Sequence, residues 1–319
     1  GQVRAAMWLG GGGTATRAAT VVATAAACRG VRCGQRRCCS ETAAGALGAG
    51  KAWQRQRRLL QRAGDAKLLA ALRPQERQRA FVEMIVRRKE ERPGRSRCPR
   101  CWFPVDLTGT SFCICTRLPP LDFTMSIRFL VYMHHRELYN CGDDAKILLS
   151  AAASRTDLFV HGRSGDEERL RAAVAAAGTS ALLLFPSDVA LTPREFLAQR
   201  ALRLLASSSG DDMPVTQEAD AELAVIVLDG TWDSVRQLRR YFSREIGPGV
   251  PHVRVWPKVS SAYARAQTRG DGVCCIEALA LLLQELGEKP SLCSELVRYV
   301  EVNNEALRFR HGTPVLRQG

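Results

Sequence analysis

The chain has 319 residues, of which 46% are hydrophobic and 24% are charged. This composition is typical of a globular protein with a substantial core. Its apolar runs fall short of the roughly 20 residues that a membrane-spanning helix needs, so a membrane protein is not expected.

The net charge of +14 is concentrated at the N-terminus. Residues 1–100 carry 22 Lys or Arg against 6 Asp or Glu, so the rest of the chain is close to neutral. A basic segment attached to a near-neutral body indicates either a polyanionic partner, with nucleic acid the first choice, or an organelle-targeting leader.

Residues 1–50 are predicted to be a disordered basic leader. The first 40 residues contain six arginines and no acidic residue, a composition that resembles a mitochondrial or plastid transit peptide. On that interpretation the protein acts in one of these organelles, and otherwise in the cytoplasm or nucleus.

Residues 51–95 are predicted to be a basic helical segment. Leucine, phenylalanine, valine and isoleucine recur at roughly helical spacing among Gln, Arg, Lys and Glu, and Pro74 divides the pattern into helices at 52–72 and 75–91. Two interpretations stand side by side: the charged residues are the solvated faces of helices packed on the body, or they contact RNA.

Four cysteines predict a small zinc ribbon over residues 96–120. Cys98 and Cys101 form a C-x-x-C pair, and Cys113 and Cys115 a tighter C-x-C pair, with a loop between them. Two such pairs place four thiolates within reach of one tetrahedral zinc, and such a set leaves no open position for catalysis. The alternative is four reduced or disulfide-bonded cysteines, although no secretory signal favours disulfides.

Strand and helix patterns alternate over residues 121–310 and are followed by a short tail, 311–319. Strands are predicted at 127–133, 158–160, 181–185, 223–228 and 252–256. Helices are predicted at 143–153, 166–177, 192–205, 232–242, 276–286 and 293–309. Alternation of this kind predicts an α/β fold with a parallel sheet flanked by helices.

The fourth predicted strand ends in a group of residues that carry chemistry. The apolar run 223–228 reads as a strand buried on both faces and is followed by Asp229, Gly230, Thr231 and Trp232. Ligands of parallel sheets bind at the carboxyl ends of the strands, so an acid, a glycine, a hydroxyl and an indole there indicate a ligand site. The structural alternative is an Asp-Gly turn, with Thr231 as a helix N-cap and Trp232 in the core.

Other polar groups follow other strands and are expected to share the same pocket. The candidates are His134, His135, Glu137 and Asn140 after the first strand, Pro186 and Ser187 after the third, and Arg265 with the segment 274–278 later in the chain. A metal site at His134 or His135 with Glu137 is not favoured, because no third ligand follows at helical spacing. Glu137 and Asn140 are better placed to fix the loop.

Together these motifs resemble the DTW-domain family, the tRNA-uridine aminocarboxypropyltransferases, over about residues 96–290. The resemblance rests on their order: the cysteine pairs, His-x-x-Glu with Asn-x-Gly, Leu-Phe-Pro-Ser at 184–187, Leu-Asp-Gly-Thr-Trp at 228–232, and an arginine before a Thr-x-Glu-Ala-like element at 275–278. The chain departs from the family pattern at His135, usually Pro, at Cys141, usually Thr, and at Cys274 and Cys275, usually Ser-Thr. A thiol is a weaker hydrogen-bonding group than a hydroxyl, so any contact that Cys275 makes to a cofactor would be poorer.

The resemblance implies a fold related to the knotted SPOUT-type methyltransferases and S-adenosylmethionine as donor. It implies transfer of the 3-amino-3-carboxypropyl group to N3 of a uridine, with tRNA as partner and Asp229 as the base. Thr231 would hydrogen-bond uracil or donor, and Trp232 would either stack on a base or pack the helix. Donor-binding roles fall on Pro186, Ser187, Gly230, Arg265, Cys275 and Glu277, although Glu277 fits a helix first-turn acid equally well. A pocket role falls on His135, Glu137 and Asn140.

Two other functions remain compatible with the sequence. One is the same chemistry on ribosomal RNA. The other is a non-catalytic RNA-binding or ribosome-associated protein on the same fold, which the substitutions at Cys141, Cys274 and Cys275 leave open.

Overall fold

The computed structural model describes residues 64–91, 97–105, 112–207, 222–257, 261, 263 and 272–310. The chain divides into two compact units, Gly1–Gly64 and Asp65–Gly319, and the description that follows concerns the second. The predicted leader, most of the helix at 52–72, Arg265 and the tail lie outside the described residues.

The centre of the fold is a five-stranded parallel sheet. Its strands are β1 (Ile127–Met133), β2 (Thr156–Val160), β3 (Ala181–Leu184), β4 (Leu223–Asp229) and β5 (His252–Val253). They lie in the order β2-β1-β4-β3-β5, with Met133 of β1 opposite Asp229 of β4. The predicted α/β class and the parallel sheet flanked by helices are therefore present.

Strand β4 is buried on both sides because alternate side chains enter different hydrophobic clusters. Val225 and Val227 belong to a cluster on one face, and Ile226 and Leu228 to a cluster on the other. A continuous apolar run without polar alternation is what such a position requires.

Helices cover both faces of the sheet. They are α1 (residues 64–71), α2 (Pro74–Glu90), α3 (Lys146–Ala151), α4 (Asp166–Ala177), α5 (Pro193–Ser207), α6 (Trp232–Tyr241), α7 (Cys275–Leu286) and α8 (Pro290–Arg310). Buried side chains of α2, α3, α7 and α8 join the Val225 face, and those of α4 and α6 join the Ile226 face.

Two predicted elements are shorter in the structure. The helix expected at 143–153 begins only at Lys146, because the Asp143 carboxylate accepts the Ala145 N–H at 3.3 Å and forms a turn before it. The strand expected at 252–256 ends at Val253, after which the chain lines a cavity.

Helix α2 occupies the place of the second predicted basic helix, 75–91. Val82 and Val86 are buried in the main hydrophobic cluster, whereas Arg77, Arg79 and Arg87 are exposed and Arg88 is half-buried. Among the described residues, no helix has both the length and the hydrophobicity needed to cross a bilayer.

Candidate functional site

The four predicted zinc ligands lie together. The Sγ atoms of Cys98, Cys101, Cys113 and Cys115 are all within 4.8 Å of one another. Cys98 and Cys115 are 3.4 Å apart, and Cys101 and Cys113 are 3.6 Å apart. Since Zn–S bonds of about 2.3 Å at tetrahedral angles separate sulfur atoms by about 3.8 Å, this cluster can bind one metal ion.

Backbone N–H groups stabilise negative charge in this cluster. Burial raises the pKa of Cys98, but hydrogen bonds from the N–H groups of Cys101 and Arg100, together with those from the neighbouring thiols, lower it to about 7. Burial raises the pKa values of Cys101 and Cys115. The turn is closed by Trp102, whose N–H donates to the Cys98 carbonyl at 3.0 Å and whose φ is +58°. The backbone therefore turns around the Cys98 sulfur and points N–H groups at it. Metal-binding cysteine turns have this geometry.

A crevice opens at the carboxyl ends of β1 and β4. These neighbouring strands lead away in opposite directions, β1 towards β2 and β4 towards β5 at the far edge. Such a switch point is where ligands bind in open α/β sheets. Asp229, the last residue of β4, lies there with only 5% of its surface exposed.

Gly230 permits the chain to turn sharply after Asp229. Its φ is +152°, and a Cβ atom at this position would lie 3.2 Å from Ser234 Cβ and 3.3 Å from His134 Cβ. Both the backbone conformation and the close packing therefore favour glycine.

Thr231 and Trp232 have structural roles and also border the crevice. The Thr231 hydroxyl caps α6 by accepting the Ser234 N–H at 3.4 Å. The Trp232 side chain is half-buried and packs against the hydrophobic cluster beneath α6. Because both residues also line the cavity, the structural and functional interpretations do not exclude each other.

The Asp229 carboxyl belongs to a buried acidic group. Burial, then the charges of Asp143 and Asp144, raise the pKa of Asp229 well above its usual value. Burial and Asp144 also raise the pKa of Asp143, to about 7, and the Asp143 and Asp229 side chains hydrogen-bond to each other. Oδ2 of Asp143 and Oδ2 of Asp229 have no hydrogen-bond donor in the described part of the protein, and the raised pKa values of both carboxyls favour their protonated forms.

A cavity of about 460 Å³ lies over this acidic group, within the usual size range of small-molecule sites. The predicted site residues that line it are Pro186, Ser187, Asp229, Gly230, Thr231, Trp232 and Cys275. Apolar walls and a charged floor are a combination that binds a ligand with an aromatic part and a polar or cationic part.

A model of the DTW domain matches residues 95–307 of the chain. The chain belongs to the DTW-domain family. Searches among curated proteins and among solved structures returned no match. The family match covers the cysteine cluster and all five strands.

The loop after β1, which carries the His-x-x-Glu element of the DTW domain, lies behind the cavity rather than in its lining. The Asn140 amide donates to Glu137 at 2.8 Å and accepts the Gly142 N–H at 3.0 Å, so both side chains fix the loop. His135 is buried against His134, and burial, His134 and His161 lower its pKa to about 4. His135 is therefore neutral at physiological pH.

The predicted donor ligand Glu277 also lies outside the cavity lining. Its carboxylate accepts the Cys274 N–H at 2.9 Å and the Ser261 hydroxyl, which completes a capping box at the start of α7. Its contacts are those of the first-turn acid that the sequence also allowed.

Ser187 is oriented by a histidine that the sequence analysis missed. The Ser187 hydroxyl lies 2.8 Å from His252 Nδ1, and Ser243 lies 3.1 Å from His252 Nε2. Burial, then Arg239, lower the pKa of His252, so the neutral ring links the two hydroxyls. A histidine at the start of an edge strand carries no sequence signal for this role.

Arg254 is the second residue that the sequence analysis missed. It lines the cavity with its guanidinium 5.1 Å from the Trp256 ring, and its Nε lacks a hydrogen-bond partner in the described regions. A cation in a predicted apolar strand was the available signal. Asp143 and Asp144 were also missed as site residues, because acids before a helix resemble caps.

Proposed function

We propose that this protein transfers the 3-amino-3-carboxypropyl group of S-adenosylmethionine to N3 of a tRNA uridine. The DTW-domain family is associated with tRNA aminocarboxypropyl transfer. The observation that carries the proposal for this chain is the Asp229 carboxyl, buried at the floor of a ligand-sized cavity beside a second acid.

Asp229 has the properties of a general base for this reaction. Uracil N3–H is a weak acid, so its proton must be taken up as N3 attacks the γ-carbon of the donor, the C–S bond breaks and methylthioadenosine leaves. A carboxylate with a raised pKa accepts such a proton better than an ordinary one. Asp229, beside Asp143, supplies that carboxylate once its own proton has left.

The charge of the donor provides a reason for that proton to leave. A sulfonium cation next to Asp229 and Asp143 would favour their ionised forms and lower both pKa values. The free protein would then hold the pair protonated, and the pair would become basic only with the donor in place.

The remaining cavity residues support donor binding. Pro186, Ser187, Gly230 and Cys275 border the space, and the rings of Trp232 and Trp256 offer surfaces for adenine or uracil. We assign the donor carboxylate to Arg254, whose guanidinium faces the cavity. Arg265 stays a second candidate. Glu277, Glu137 and Asn140 hold the surrounding loops in place through their hydrogen bonds, and the His135 ring packs against His134.

We further propose that the four-cysteine cluster binds a structural zinc ion and that tRNA contacts the basic surface. The exposed arginines of α2, among them Arg77, Arg79 and Arg87, suit a phosphate backbone. A SPOUT-like knot and an organellar location remain part of the proposal.

The decisive experiment measures transfer from carboxyl-labelled S-adenosylmethionine to tRNA that lacks the modification. Asp229→Asn keeps the shape but removes the base, so the rate should fall by about 10²–10⁴-fold. Asp233→Asn is the matched control, because Asp233 is an exposed aspartate four residues away that forms an ion pair with Arg236 at 2.6 Å. It should leave the rate unchanged.

The outcomes separate the alternatives. A wild-type rate in Asp229→Asn would remove the proposed base. Label in ribosomal RNA but not in tRNA would preserve the chemistry and replace the substrate. Calorimetry that detects no donor binding by the folded, metal-loaded protein would favour a non-catalytic RNA-binding role.

A further inference from the structure

A second group of metal-binding atoms lies at the floor of the cavity. One carboxylate oxygen each from Asp144 and Asp229 and the Sγ atom of Cys275 are all within 4.8 Å of one another. They come from three elements: the turn before α3, the end of β4 and the first residue of α7. The fold, rather than one local loop, brings them together.

Negative charge in this group is only partly compensated: Asp144 Oδ2 accepts the Ile276 N–H at 3.2 Å, and the buried Lys146 interacts with the charges of Asp143 and Asp144. Asp143, Asp144, Asp229 and Glu137 are all buried, and Asp229 Oδ2 has no donor among the described residues. The buried cation nearby, Lys146, directs its ammonium to the carbonyls of Cys141 and Asp143 and to the Asn303 side chain. Buried carboxylates without donors must hold protons or a bound cation.

We propose that Asp144, Asp229 and Cys275 form a second metal site, separate from the four-cysteine cluster, for one thiophilic divalent cation such as Zn²⁺. Cys275 Sγ lies 3.8 Å from Asp229 Oδ1. Ligands at about 2.3 Å (sulfur) and 2.1 Å (oxygen) from a tetrahedral zinc would be about 3.6 Å apart. The existing separation therefore needs little adjustment.

Binding exchanges protons for the metal. The Cys275 thiol proton and the proton of the Asp229 carboxyl would leave, and the divalent cation would take their place. All three ligands line the cavity, so the fourth coordination position faces it and is open to water or a small ligand. This differs from the four-cysteine cluster, where protein sulfurs fill every position. A metal ion bound here would occupy the Asp229 carboxylate that we propose as the base, so metal binding and group transfer would exclude each other. The metal counts below test the site separately from the transfer assay.

The test counts metal in the full chain after equilibration with Zn²⁺ and dialysis. Cys275→Ser should bind one equivalent less than wild type, because a serine hydroxyl is a poor zinc ligand. Cys293→Ser is the matched control: Cys293 is another buried cysteine, placed in α8, and its replacement should leave the count unchanged. Any metal bound by cysteines 28, 33, 38 and 39 is the same in every variant. The result is therefore the difference in bound metal between each variant and the wild type.

A second measurement protects the test against misfolding of Cys275→Ser. Asp144→Asn leaves the thiol in place and removes one charged ligand, and it should weaken Co²⁺ binding to the lower-affinity site by at least about 10-fold. Equal metal counts in wild type and folded Cys275→Ser would overturn the proposal. So would Co²⁺ titrations of wild type and Asp144→Asn that coincide.

Discussion

The four-cysteine cluster and the cavity floor both gather ligand atoms within 4.8 Å, but they differ in the hydrogen-bond donors that they offer to negative charge. In the cluster, backbone N–H groups of the turn at Cys98 stabilise the Cys98 thiolate. At the cavity floor, acids face acids, and the pKa values of Asp143 and Asp229 rise. The cluster thus combines one stabilised thiolate with two thiols, Cys101 and Cys115, whose pKa values are raised by burial, whereas Asp229 Oδ2 at the cavity floor has no donor among the described residues.

The largest expected effect concerns the four-cysteine cluster. Cys101→Ser removes one of four thiolates, and a structural zinc in small domains contributes roughly 10–16 kcal/mol, so losing a quarter of the ligands should cost about 2.5–4 kcal/mol. Urea unfolding together with metal analysis measures this. Cys293→Ser, buried but outside the cluster, should cost only about 1–2 kcal/mol. Equal losses in the two variants would show that the cluster is not stabilised by metal.

The next largest effect concerns the acids at the cavity floor and is measured as the change of protein stability with pH. Asp143 has a pKa of about 7 in the folded protein against 3.8 as the usual value, so the folded state retains a proton that the unfolded state releases. The stability from this proton is complete below pH 4 and is lost as pH rises towards 7, at about 1.4 kcal/mol per pH unit.

Asp143→Asn should therefore flatten the fall in stability between pH 4 and pH 7, measured by unfolding at several pH values. Asp233→Asn, which changes an exposed aspartate, should keep the wild-type slope. If stability falls equally with pH in the wild type, Asp143→Asn and Asp233→Asn, then the folded protein does not raise the pKa of Asp143.

The smallest expected effect concerns the turn at Gly230, which lies between Asp229 and helix α6. Gly230→Ala should lower stability by about 1–2 kcal/mol, because its Cβ would meet Ser234 and His134 and its φ is unfavourable for alanine. Gly64→Ala, at a helical position with open space around it, is the control and should be neutral or slightly stabilising. Thermal unfolding distinguishes the two, and similar melting temperatures would contradict the close packing at Gly230.

The two regions also differ in how far the sequence predicted them. The cysteine cluster depends on spacing within 18 residues, and its pairs were enough to place all four sulfurs together. The apolar run before Asp229 likewise predicted a strand buried on both faces, and its end coincides with the crevice.

The partners of Asp229 were not predictable in the same way. Asp143 resembles a helix cap in the sequence, and only the pairing of β1 with β4 brings it against Asp229. Arg254 lies beyond a two-residue strand that looked longer, so its position at the cavity depends on where β5 leaves the sheet. Contacts between distant segments depend on strand order, which a local pattern does not specify.

Helix α2 lies upstream of the residues that match the family, yet its buried side chains belong to the same hydrophobic core as the sheet. The family match starts at residue 95. Lys89, upstream of it, donates from its ammonium to the carbonyls of His135, Arg136 and Leu138, at 3.1, 2.9 and 2.6 Å. A polypeptide begun at residue 95 would leave three carbonyls of the loop behind the cavity without their cation, so a shortened form of the protein should retain the upstream helix.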